Sequence, residues 1–192
     1  MTAQTTYPMT FDVEYPEELS RWRIFVKWLL IIPHWIILYA LGLVSGIAIF
    51  IAWFAILFTR RFPRGLFDFV VNINRWGLNV GAYLLLMRDE YPPFSWERGK
   101  YAVTYEVEYP EQLSRWLIFV KWLLIIPHVI VLYILFLVYY VTLIIAWFAI
   151  LLTKHYPRPL FNFGVGVLRW ASRINVYTNL LRDDSPPFRL GP

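Results

Sequence analysis

Two apolar runs dominate the chain, each lacking Lys, Arg, Asp and Glu for 32 residues, between Lys27 and Arg60 and again between Lys121 and Lys154. Apolar runs of about 18 or more residues are long enough to cross a bilayer. The polar positions around each run recur in a fixed order. Before it stands an alternation of acids with aromatic residues or Val, Thr10–Tyr15 (TFDVEY) and Thr104–Tyr109 (TYEVEY), the period of a half-exposed strand. Tyr15-Pro16 and Tyr109-Pro110 close it, because a residue before proline is held extended. After the run comes an amphipathic segment, Leu66–Met87 or Leu160–Leu181. The exits RDEYPPF and RDDSPPF follow, and their paired prolines forbid helix.

This order is a tandem repeat. FDVEYPEELSRWRIFVKWLLIIPHWIILY at Phe11–Tyr39 returns as YEVEYPEQLSRWLIFVKWLLIIPHVIVLY at Tyr105–Tyr133, an offset of 94 residues that continues without a gap. Ile51–Leu57 (IAWFAIL) returns as Ile145–Leu151, and Arg75-Trp76 as Arg169-Trp170. The sequence therefore predicts two units, residues 1–96 and 97–192, with a boundary near Ser95–Lys100 (SWERGK). The expected fold class is mostly α and integral to a membrane. Each unit has a short extended segment, a long apolar helical hairpin or kinked helix, and an amphipathic helix.

The hairpin and the kinked helix are distinct expectations. As one helix the run would be about 48 Å long, against a hydrocarbon core of about 30 Å. Arg21, Arg23 and Lys27 precede the first run and Arg60, Arg61 and Arg64 follow it; Arg115 and Lys121 precede the second, and Lys154 and Arg158 follow it. If basic residues stay cytoplasmic, each run goes out and returns, giving four crossings with both termini cytoplasmic. Gly42, Ser45 and Gly46 would make the turn in the first unit, although Phe136–Tyr140 offers poor turn chemistry in the second. Alternatively, Pro33 and Pro127 break each run into an interfacial helix (residues 20–32 in the first unit) and one span (34–59), and the amphipathic segment Leu66–Met87 must then return across the membrane. Either way the charges favour two units in the same orientation.

The amphipathic segments carry polar residues at helical spacing: Asp68, Asn72, Arg75 and Asn79, then Asn162, Gly166, Arg169 and Arg173. With Trp76 and Trp170 beside the arginines, two placements are compatible. The helix lies in the headgroup plane with Arg outward, or it packs between the spans and a soluble cap.

Composition agrees with a membrane setting: 59% of residues are hydrophobic and 16% charged, where soluble domains are about a quarter charged. There is no Cys, which excludes disulfides and thiolate chemistry. The first twenty residues, polar and acidic, do not read as a cleaved signal. A net charge of +5 gathers beside the apolar runs. That pattern suits lipid headgroups at Arg21, Arg23, Lys27, Arg60, Arg61, Arg64, Arg75, Trp76, Arg115, Lys121, Lys154, Arg158, Arg169 and Trp170, and does not suit nucleic acid.

Candidate chemistry is sparse. His34 and His128 occupy equivalent Ile-Ile-Pro-His steps inside the runs, where a histidine is a candidate haem or chlorophyll ligand or proton relay. The competing reading is structural, since no second ligand stands at suitable spacing, and the cofactor is left unknown. Adjacent carboxylates such as Asp89-Glu90 are expected to pair with Arg88. No phosphate loop, nucleophile elbow or zinc motif is present, so an enzyme is not expected.

The residues Tyr15-Pro16, Leu19-Ser20-Arg21, Ile32-Pro33-His34, Ile51–Thr59, Phe62–Phe67 and Tyr91–Phe94 resemble the bacterial integral-membrane repeat family known as domain-of-unknown-function family 4389, present here twice. Pro159 replaces Gly65 and Ser185 replaces Tyr91 in the second copy. The resemblance implies a bacterial cytoplasmic-membrane protein and brings no activity. The leading expectation is a non-catalytic scaffold or accessory subunit whose partners are the bilayer and other membrane subunits or itself. A small transporter or channel lined by the polar stripes, and a cofactor-bearing subunit using the Pro-His pairs, are the alternatives.

Overall fold

Each apolar run folds as a single rod in the computed structural model, which describes residues 7–95, 99 and 102–192; the boundary expected near Ser95–Lys100 lies largely outside them. In the first unit α1 (Arg23–Leu30) leads into α2 (Ile32–Thr59). In the second, α4 (Leu117–Leu124) leads into α5 (Ile126–Thr153). Pro33 and Pro127 stand in the first turn of α2 and α5, where a missing N–H has no intrahelical acceptor to lose. The rod therefore breaks once, at Ile31 or Ile125, and continues. The expected hairpin does not form: the Gly42–Gly46 stretch is uninterrupted helix. Glycine within a helix costs only about 1 kcal/mol, too little to turn a chain that lacks other turn residues.

Two stretches, Arg23–Thr59 and Leu117–Thr153, are long and apolar enough to cross a membrane. With the hairpin absent, the expected four crossings would require the Leu66–Met87 and Leu160–Leu181 segments to return across the membrane beside the rods.

Each rod ends in a left-handed residue, Arg60 (φ 59°) or Lys154 (φ 64°), whose N–H closes on the carbonyl of Ile56 or Ile150. A tight Pro-containing turn then starts α3 (Arg64–Leu84) in the first unit and α6 (Arg158–Thr178) in the second. The late residues of α3, Trp76, Val80 and Tyr83, pack on Ile31, Leu38 and Leu41 of the rod, so α3 runs back along α2. Trp170, Ile174 and Tyr177 repeat the arrangement against Ile125, Leu132 and Leu135.

The extended segments are strands, slightly earlier than expected: β1 (Met9–Val13) and β2 (Val103–Val107). They pair antiparallel with each other, and Phe11 faces Tyr105, its own counterpart in the other unit. A pseudo-two-fold axis thus passes between these residues, perpendicular to the pair. The strands are exchanged between units: β2 lies on α3 of the first unit, and β1 on α6 of the second. Met9, Phe11, Val13, Val103 and Tyr105 point inward as core, while Thr10, Asp12 and Thr104 point outward.

The exchange extends to the rods. Leu19 N–H bonds the Lys154 carbonyl and Leu113 N–H the Arg60 carbonyl, both at 2.8 Å. The Arg21 and Arg115 guanidiniums reach the carbonyls of Leu152 and Phe58, the last turns of the opposite rods. Each rod thus begins where the other ends, and the two run in opposite directions. The cross-unit bonds make the two units one body with opposed rods. Three layers result: rods, then α3 and α6, then the strand pair.

Candidate functional site

Two surfaces and two pairs of buried clusters carry what the fold can do. The first surface is the apolar face of the rods. Trp35, Ile36, Tyr39, Ile47, Phe50 and Phe58 of α2 are exposed, and only a narrow stripe, His34, Ser45, Ala48, Ala52 and Ile56, is buried. α5 repeats this with His128, Tyr139, Ala146 and Ile150 inward. Among the described residues, every large apolar side chain that is strongly exposed belongs to the rods or their flanking Trp22 and Trp116, apart from Tyr91, Phe94 and Phe188 of the exits. α3, α6 and the strands contribute none. A contiguous apolar surface of this extent marks an interaction site and not a solvated face. Where each rod passes the short helix of the other unit, grooves of about 600 and 320 Å³ remain, the first lined by Phe50, Trp53, Lys121 and Trp122.

The second surface is polar and lies on the strand side. Arg75 reaches the Tyr105 carbonyl through Nε, Asn72 Oδ1 at 2.7 Å and Glu106 at 3.4 Å. Arg169 reaches the Phe11 carbonyl at 2.8 Å, the Leu190 carbonyl at 3.0 Å and Asp12 at 3.2 Å. Burial pulls Arg169 below the usual guanidinium range, and the Asp12 carboxylate opposes the shift. These arginines clamp the exchanged strands. They do not project to headgroups, so of the two placements weighed for the amphipathic helices, packing between the rods and a cap is the one observed. Arg173 is buried deeper still, bonding the carbonyls of Arg189 and Gly191; burial and then the neighbouring Arg189 and Arg169 push it down to about 10.

The histidines sit in aromatic clamps, one per unit. His34 Nδ1 accepts the Trp76 indole N–H at 3.1 Å, and Phe94 stacks on the ring at 3.9 Å. The Trp donor obliges Nε2 to carry the ring proton. Nε2 faces the Pro92 carbonyl without completing a well-formed bond. His128 stacks on Phe188 at 3.8 Å with Trp170 edge-on, but there the Nδ1 and the indole N–H make no hydrogen bond. The clamps tie each exit segment to the start of α2 or α5. Among the described residues no three His, Cys, Asp or Glu side chains gather as a metal site.

The last pair of clusters was hidden in the sequence. Lys27, expected at headgroups, is buried and pairs with Asp89 at 2.8 Å, bonds the Arg88 carbonyl and lies over the Tyr83 ring. Lys121 does the same with Asp183, Arg182 and Tyr177. Asp89 and Asp183 also accept the N–H of Ser20 and Ser114. Arg88 pairs with Glu90, as the sequence suggested, leaving Asp89 to the lysine. Equal spacing in both units was the available signal, since a lysine one helical turn inside an apolar rod needs an anion.

The remaining basic positions lie at the rod ends. Arg23 bonds the Asp89 carbonyl. Arg64 and Arg158 sit over the rings of Tyr109 and Tyr15, again across units. Arg60, Arg61 and Lys154 are exposed, Lys154 within 3.8 Å of Glu18.

No curated protein and no solved structure matches the chain. The family model described as domain of unknown function (DUF4389) matches twice, at residues 21–95 and 115–189. Two copies spanning most of the sequence, in the order and spacing of the two exchanged units, make this chain a member of the DUF4389 family.

Proposed function

We propose that this protein is a non-catalytic membrane-embedded component of a bacterial cytoplasmic membrane, a scaffold or accessory subunit that holds itself or other membrane proteins together. The observation that carries this reading is the confinement of exposed apolar side chains to the two rods, whose faces are far larger than a monomeric soluble protein tolerates. The charged groups that a transport path would need are engaged internally. The stripe arginines hold strands, the lysines hold carboxylates, and the histidines lie between aromatic rings. The basic residues at the rod ends suit a cytoplasmic placement of that rim.

The test is extraction of the full chain in mild detergent, followed by mass determination and identification of co-purifying proteins. A homo-oligomer or a stoichiometric membrane partner is expected. A monodisperse monomer that brings down nothing would overturn the scaffold reading.

A further inference from the structure

Resting on the membrane-embedded reading above, we infer that the two rods do not cross the bilayer: they lie flat within one leaflet, with the pseudo-two-fold axis along the membrane normal and the strand pair facing water. Both rods are long and apolar enough to span, so length does not decide the matter. The relation between the rods does.

They run in opposite directions, joined end to start by the Leu19–Lys154 and Leu113–Arg60 bonds. If they spanned, the two-fold axis would lie in the membrane plane. The strand pair, centred on that axis at Phe11 and Tyr105, would then sit at bilayer mid-depth. Asp12 and Glu106 stand on its outer side with carboxylates 65% and 46% exposed, paired with Arg169 and Arg75. Hydrocarbon is a prohibitive environment for half-exposed carboxylates and for the open edges of a two-stranded sheet. A spanning placement would also divide equivalent basic clusters between opposite faces, with Arg21 and Lys154 on one and Arg60 and Arg115 on the other. That contradicts the cytoplasmic bias of positive residues.

With the axis along the normal, each conflict disappears. The layers are then stacked in order of polarity: apolar rods in the acyl region, α3 and α6 above them, and the strands with their outward Thr10, Asp12 and Thr104 in water. All four rod ends fall at one depth in the same leaflet, from which their Arg and Lys side chains and Trp22 and Trp116 reach up to the headgroups, where both residue types are favoured. A helix of 28 residues, about 42 Å long, need not match a core of about 30 Å when it lies in the plane. The rods expose most of their circumference, so they are immersed more deeply than a one-sided amphipathic helix.

The absence of native Cys allows a direct test on the full chain. Glu17→Cys and Glu111→Cys place single thiols at equivalent exposed positions, and Thr104→Cys marks the strand pair. Each variant is expressed in cells, and spheroplasts and inverted vesicles are treated with a membrane-impermeant maleimide after carbonate washing. Retention in the washed membrane with all three labelled from one and the same side is expected. Labelling of Glu17→Cys and Glu111→Cys from opposite sides, or of either from both sides, would overturn the flat placement while leaving membrane embedding intact. Release by carbonate would overturn the membrane reading itself, and with it this inference.

Discussion

The Arg75 guanidinium, on α3 of the first unit, donates its Nε–H to the backbone carbonyl of Tyr105, on the strand of the second, at 3.1 Å. Arg169 makes the reciprocal bond to Phe11. Each unit thereby grips the other's strand. A charge-assisted bond at a site this buried is worth about 1.5–3 kcal/mol. Arg75→Ala is expected to lower stability by about that amount in detergent, and Arg75→Lys to recover only part, because a lysine cannot reach the carbonyl and Asn72 together. Denaturant unfolding followed by Trp fluorescence reads both.

The exchange predicts how a single unit behaves. Residues 1–96 alone carry a strand with no α6 to lie on and an α3 with no strand above it. Expressed alone, this unit is expected to form a homodimer in which Phe11 faces Phe11 of a second copy, since the interface is already isologous. Light scattering in detergent would show it; a stable monomer would count against the exchange.

The histidine clamps differ by one hydrogen bond, and mutation should expose the difference. Trp76→Phe removes the donor to His34 and is expected to cost about 1–2 kcal/mol beyond the lost packing. Trp170→Phe, where the indole N–H makes no bond, should cost less. Paired unfolding curves give the comparison directly.

Gly164 is the tightest glycine. A Cβ there would lie 2.6 Å from Tyr139 Cε2 and 2.8 Å from the Met87 methyl. Gly164→Ala is expected to destabilise by about 1–3 kcal/mol through overpacking. Tyr139→Leu in the same chain should relieve part of that loss. Gly42→Ala, on an open face of α2, should instead stabilise slightly.

Burial of Tyr156, in the turn between rod and α6, pushes its hydroxyl up to about 12. The neutral form is therefore favoured when folded. Its contribution is present in full below about pH 10, the unfolded value, and is lost as pH rises through about 12. The wild-type chain is expected to lose stability across that window more steeply than Tyr156→Phe, which installs the residue present at the equivalent Phe62. The difference is at most about 3 kcal/mol. Alkaline titration of unfolding midpoints for the two proteins would measure it.

Much of this molecule is written locally. The 94-residue offset, the apolar runs, the alternation ahead of Tyr15 and Tyr109, and the proline exits all act on near neighbours, and each sets its element by backbone geometry and side-chain period. The double match to one family follows from the same local patterns. The hairpin expectation failed because charge bias was used to infer a turn, whereas Gly42, Ser45 and Gly46 in one unit do not interrupt the helix and Phe136–Tyr140 in the other has no turn chemistry. Arg75, Arg169, Lys27 and Lys121 read as headgroup ligands for a related reason, since a basic residue beside an apolar run looks the same whether its partner is a phosphate or a distant carboxylate. Only the tertiary structure decided that the strands exchange, that the rods oppose, and that these four cations turn inward. The strand exchange, the opposed rods and the arginine clamps depend on contacts between units, and the lysine pairs on carboxylates far along the same unit; a sequence duplicated in tandem specifies the same bonds within a unit and across it, and geometry alone selects between them.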